Sequence, residues 1–148
     1  MSVPTEEEWG DYQADLDREY AHDLFAGHTN DEMRPHFYRN VIERASELQF
    51  MPEVPFRYYM LGFRDFVMAG TFAHLEDSDA ASCFLRLIEE KLENHPGHIL
   101  PIMPELLPAI RHVGQNQTSF HADEKFYGKF HEKLNRIETL YSRCRNGS

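Results

Sequence analysis

The broadest apolar pattern in the chain runs from Pro55 to Gly70, PFRYYMLGFRDFVMAG, and its spacing predicts a helix. At about 100° per residue, Phe56, Tyr59, Met60, Phe63, Phe66 and Val67 cover a wide arc, which Tyr58, Gly62 and Ala69 extend. An arc of that width belongs to a helix packed on most sides by protein rather than laid on a surface. Pro55 suits the first helical position, where its missing N–H has no intrahelical partner to lose. Gly70 suits the left-handed position that ends a helix. This stretch is therefore expected to be the central helix of a bundle.

The segments on either side carry narrower stripes. Thr5-Glu6-Glu7-Glu8 has capping-box spacing and opens a helix expected over Glu6 to Ala26, striped by Trp9, Tyr12, Leu16, Tyr20 and Leu24. Thr29 and Glu32 repeat that spacing before a second helix, whose stripe is Met33, Phe37, Val41, Ala45 and Leu48 and which ends before Pro52. After Gly70, Phe72 and Leu75 are placed to cover a core edge, and Asp77 or Ser78 to cap the next helix. That helix is striped by Ala81, Phe84, Leu85, Ile88 and Leu92, while Cys83 and Leu87 lie off the stripe and imply a second contact. Residues 97–114 contain Pro101, Pro104 and Pro108, which forbid one long helix and leave a short one ending near Val113. Within that segment Ile99 to Pro104 is either a lid on the core or an apolar contact surface, the lid being simpler. Ser119 or a neighbour is expected to cap the last helix, Phe120 to Arg143, with Phe126, Phe130, Leu134, Ile137, Leu140, Tyr141 and Cys144 inward. Asn146-Gly147-Ser148 should fray. With no alternating β-branched run, the expected fold is all-α. It is a single domain over 1–148, a bundle of about five main helices around a buried central helix (55–70), with a proline-broken segment at 97–114.

Composition narrows the classes of function. A chain of 148 residues that is 41% hydrophobic and 13% aromatic can bury a real core. Its net charge of −10 disfavours nucleic acid and anionic membranes as partners and leaves a basic protein partner open. No apolar run is long enough to span a bilayer. The start, MSVPTEEEWG, lacks the basic and apolar regions of a signal peptide, and there are only two cysteines, so free thiols and a cytoplasmic location are expected.

Candidate chemistry is sparse. Arg57 and Arg64 lie two turns apart on one narrow face. They are expected either to pair with acids of a neighbouring helix or, with the hydroxyl of Tyr58 or Tyr59, to form a small anion site, while Asp65 points elsewhere. Asp11, Asp15 and Glu19 form an acidic flank in a region whose only base is Arg18. That flank is either a docking surface for a basic partner or the counterpart of Lys125, Lys129 and Arg136 on the last helix. Glu19 and His22 have Glu-x-x-His spacing, half of a di-metal pair, but no second copy occurs. His95 and His98 share a turn without a third ligand, and Cys83 and Cys144 lie on faces expected to pack. No phosphate-binding loop, dinucleotide fingerprint or nucleophile elbow is present. The expected function is protein contact, through self-association or a basic partner, with no cofactor and no metal. The alternative is a metal- or anion-dependent bundle enzyme built on Glu19, His22, Arg57 and Arg64.

Overall fold

The computed structural model describes residues 1–147, and Ser148 lies outside them. Among the described residues the fold is all-α. In order, the elements are two 3-10 turns (Glu6–Trp9 and Tyr12–Ala14), α1 (Leu16–Phe25), α2 (Asn30–Arg39), α3 (Val41–Gln49), α4 (Glu53–Ala69) and α5 (Asp77–Asn94). They continue with α6 (Pro96–Ile99), a 3-10 turn (Leu100–Ile102), α7 (Met103–Gln115), a 3-10 turn (Gln117–Phe120), α8 (Glu124–Tyr127) and α9 (Phe130–Asn146). One hydrophobic core joins them.

The central helix is α4, and it packs against α2, α3, α5, α6 and α7. Phe56, Tyr59, Met60 and Phe63 are fully enclosed, because the wide apolar arc has neighbours all round it. Pro55 falls in the first turn, where its missing donor costs nothing, and Gly70 closes the helix at φ 73°. Gly62 is needed for a close approach. A Cβ there would lie 2.2 Å from Asn30 Oδ1, so its absence lets the start of α2 rest on α4. Asn30 then donates from its side chain to Tyr58 O (2.9 Å) and from its backbone to the Tyr58 hydroxyl (3.2 Å). The Tyr59 hydroxyl ties α4 to the end of α1, lying 2.6 Å from Phe25 O and 2.7 Å from His28 O. Burial, helped by the neighbouring Tyr58, pushes its pKa up against the opposing hydrogen bond to His28.

Three expected helices are broken, two of them after a glycine and one at an asparagine that caps the piece after it. The first stops at Gly10 (φ 63°) and restarts at Asp15, whose carboxylate accepts from Asp17 N and Arg18 N. The restart alters which face is inward: Trp9, Ala21 and Phe25 are buried, whereas Leu16 and Tyr20 of the expected stripe face solvent. The second breaks at Asn40, which caps α3 through Glu43 N (3.1 Å), with Met33, Phe37, Val41, Ala45 and Leu48 all buried as expected. The last breaks at Gly128, and Gln117 rather than Ser119 serves α9 by accepting from Phe130 N. Phe126, expected inward, sits on the short α8 and is 82% exposed.

The segment over 97–114 is more helical than its prolines suggested. Pro104 falls in the first turn of α7, and Pro108 is accommodated inside it. Ile99, Ile102 and Met103 are buried, so this stretch is the lid rather than an exposed apolar surface. On α5, Cys83 and Leu87 are buried as well as the main stripe, because that helix packs on α3 as well as on α9. Leu75, expected at the core edge, is exposed at φ 65°, and Phe72 alone packs inward, on Phe66 and Phe120.

Candidate functional site

The residues singled out in the sequence do not converge. Arg57 closes the turn into α6: it donates to His98 O (3.0 Å) and Gly97 O (2.7 Å) and pairs with Glu53 one turn earlier on its own helix. Arg64 donates to Glu105 O (3.2 Å) and pairs with Asp65 at 2.8 Å, so the expectation that Asp65 points away is corrected. A long guanidinium can fold back onto an adjacent carboxylate that Cβ directions alone would separate. The Tyr58 hydroxyl meets Asn30 of α2. The three groups thus serve three different neighbours, and the acid partners expected from a neighbouring helix lie on α4 itself.

On the acidic flank, Asp15 is occupied as the α1 cap, Asp11 is exposed and Glu19 is half-buried. Of the basic residues expected to face the flank, Arg136 is engaged elsewhere, with Glu89 and Glu93 of α5, and Lys125 and Lys129 form no ion pair among the described residues. His22 meets Glu6 rather than Glu19, at 2.8 Å, with its ring stacked on Tyr12 and edge-on to Trp9. The same contact holds the Glu6 carboxyl below its ordinary value. Among the described residues no group of three or more His, Cys, Asp or Glu side chains is placed to hold a metal ion.

What the chain does assemble is a groove between α3 and α5. Ile42 lines a hollow with Asp79 and Cys83 near the start of α5, and Gln49 O meets Lys91 further along it, so the two helices run in the same direction and leave a channel between them. Its central part encloses about 350 Å³, with Ala45, Cys83 and Leu87 as the apolar floor and Ser46, Gln49 and Glu90 as polar wall. Ser46 leads into an adjoining hollow of about 300 Å³ lined by Tyr20, Phe50 and the acids Asp17, Glu43 and Glu47. At the other end Ile42, Cys83 and Arg86 lead into a third hollow of about 330 Å³, bounded by Asp79, Phe126, Tyr127 and Lys133. Large apolar side chains stand open along this face: Tyr20, Phe50, Phe126 and Ile42, the last 51% exposed. Isolated exposed apolar residues are ordinary, but here four of them stand beside one continuous hollow.

The electrostatics of the groove are uneven. Glu90 directs Oε1 to Asn94 Nδ2 (3.3 Å), while its Oε2 is buried and has no hydrogen-bond partner. A carboxylate oxygen shielded from water and left unpaired is costly, and a cationic donor entering the groove would relieve it. Arg86, which lines both the central part and the third hollow, donates to Cys83 Sγ (3.4 Å), and Lys133 lies over the Phe130 ring; neither forms an ion pair among the described residues. Burial pushes the Cys83 thiol up in pKa despite the nearby Arg86, so it stays protonated and is a poor nucleophile.

Behind the groove lies a feature the sequence reading missed. Lys91 is only 1% exposed, donates to Gln49 O (2.8 Å), approaches His98 Nδ1 (3.5 Å) and sits over the Phe56 ring (4.8 Å). Burial draws its pKa down, and burial together with the Lys91 charge does the same to His98. Lys91 falls seven residues after Phe84 and three after Ile88, on the buried face, and that spacing was the available signal. Through Gln49 and the adjoining Glu90 it fixes one end of the groove.

Comparison with protein-family models, with curated proteins and with solved structures finds no match.

Proposed function

We propose that this protein is a docking module whose α3–α5 groove receives one basic, amphipathic helix of a protein partner. The observation that carries this reading is the buried, unpaired Glu90 Oε2 in the wall of a channel that it shares with Ser46, Gln49 and Arg86. A lysine or arginine on the incoming helix supplies the missing donor, while its apolar residues at helical spacing lie against Ala45, Leu87 and the exposed Ile42. Asp17, Glu43 and Glu47 around the adjoining hollow extend the attraction for a basic segment, although Arg44 partly neutralises the two glutamates. A net charge of −10 favours this partner over a second copy of the chain, since two such molecules repel each other. The free thiols of Cys83 and Cys144 suit the reducing environment of the cytoplasm.

The test is a titration of isotope-labelled protein with two model peptides, one an amphipathic helix of leucine and lysine, the other its glutamate counterpart. The lysine peptide is expected to shift the amide signals of Ser46, Gln49, Cys83 and Glu90 in a saturable way that weakens with salt. Equal binding of both peptides, or shifts centred away from α3 and α5, would overturn the proposal.

A further inference from the structure

A second cavity, sharing no lining residue with the groove, lies between α2 and the last turn of α4. It holds about 580 Å³, within the roughly 300–1,000 Å³ typical of small-molecule sites. Phe66, Ala69 and Pro35 give it an apolar end, and Phe66 is itself buried and held edge-on by Phe72. Asp31, Arg34, Tyr38 and Arg39 bring polar groups to its α2 side. Arg34 is only loosely engaged, 3.9 Å from Asp31. Arg39 and the Tyr38 hydroxyl have no ion-pair or hydrogen-bond partner among the described residues. Two guanidiniums against one carboxylate leave this rim positive, in a chain whose net charge is −10.

We infer that this cavity binds a small amphiphilic monocarboxylate, with its apolar body against Phe66 and Ala69 and its carboxylate at Arg39. A planar guanidinium takes a carboxylate through two parallel hydrogen bonds, and the Tyr38 hydroxyl adds a third donor. Asp31 at the rim disfavours a ligand of higher negative charge, and the guanidiniums disfavour a cation. The site is independent of the α3–α5 groove, so either can fail without the other.

The experiment compares decanoate, decanol and decyltrimethylammonium by titration of the isotope-labelled full chain. Decanoate is expected to give saturable amide shifts centred on Tyr38, Ala69 and Thr71, at least about tenfold tighter than the other two, as one charge-assisted contact implies. Arg39→Gln should bring decanoate down to the affinity of decanol. Ala69→Trp, which fills the cavity from an exposed position, should abolish both while leaving the far-ultraviolet dichroism unchanged. The inference is overturned if decanoate gives no saturable shifts, if the three compounds bind equally, or if the shifts survive Ala69→Trp.

Discussion

Replacing Lys91 by Met tests how the core tolerates a charge without a counter-ion. Met keeps the unbranched reach of the side chain and removes the ammonium. The losses are a charge-assisted hydrogen bond to Gln49 O (2.8 Å) and a cation–π contact with Phe56 at 4.8 Å, about 1.5–3 and 1–2 kcal/mol respectively. The gain is relief from holding an ammonium at 1% exposure, which costs several kcal/mol on the order-of-magnitude scale for buried ions. The lowered pKa of Lys91 gives the sign of the balance: burial outweighs the contacts, and the charged form is disfavoured in the fold. Lys91→Met should therefore be as stable as the wild type or up to about 2 kcal/mol more stable near neutral pH, read from denaturant melts. Its advantage should shrink as pH rises toward 10.5, because the unfolded chain holds the lysine proton longer than the folded one and wild-type stability climbs across that window. A loss of more than about 1 kcal/mol at neutral pH would refute this reasoning and make Lys91 a net stabilising clamp on the end of α3.

Phe63→Ala should cost about 3–5 kcal/mol in the same melts, since Phe63 is fully buried between Phe37 and Phe84; a loss under about 1 kcal/mol would contradict its placement. Gly62→Ala should destabilise by about 1–3 kcal/mol through the clash with Asn30, and Asn30→Ala in the same chain should return part of that loss; additive losses would contradict the contact. Wild-type stability should rise from about pH 4 to about pH 7. His98 and His36 have folded pKa values below 6.5, so the unfolded chain binds their protons more readily and stability grows as pH rises through that range. Glu6 and Glu32, held below 4.5, contribute stability above that value and lose it as pH falls through their lowered range. In thermal melts, a profile that stays flat as pH falls below 6.5 would contradict the histidine assignments, and one that stays flat as pH falls below 4.5 would contradict the glutamate assignments.

The apolar spacing in the sequence carried the core well where the chain stays in phase. Val41, Ala45 and Leu48 remain inward even though Asn40 breaks the helix before them, because a one-residue cap leaves the following face nearly aligned. Where the chain turns more sharply the phase is lost: restarting at Asp15 puts Leu16 and Tyr20 outside, and Gly128 leaves Phe126 on a separate short helix. The arginines and acids singled out by charge were legible as residues but not as contacts, since the carbonyls of Gly97, His98 and Glu105 that hold Arg57 and Arg64 lie about forty residues away in the chain. The groove was illegible for a related reason. It arises from the approach of α3 to α5, and nothing local to Glu90 marks one of its oxygens as buried and unpaired.

The docking account rests on Glu90, and a charge swap at that position tests it most directly. Binding of the leucine–lysine peptide is to be measured by calorimetry for the wild type and for Glu90→Lys, alongside the glutamate peptide with each. The account predicts that Glu90→Lys weakens the lysine peptide at least about tenfold, as loss of a charge-assisted contact and a new repulsion require, and that it admits the glutamate peptide. Unchanged affinity of the lysine peptide for Glu90→Lys, with that variant folded as the wild type, would contradict it.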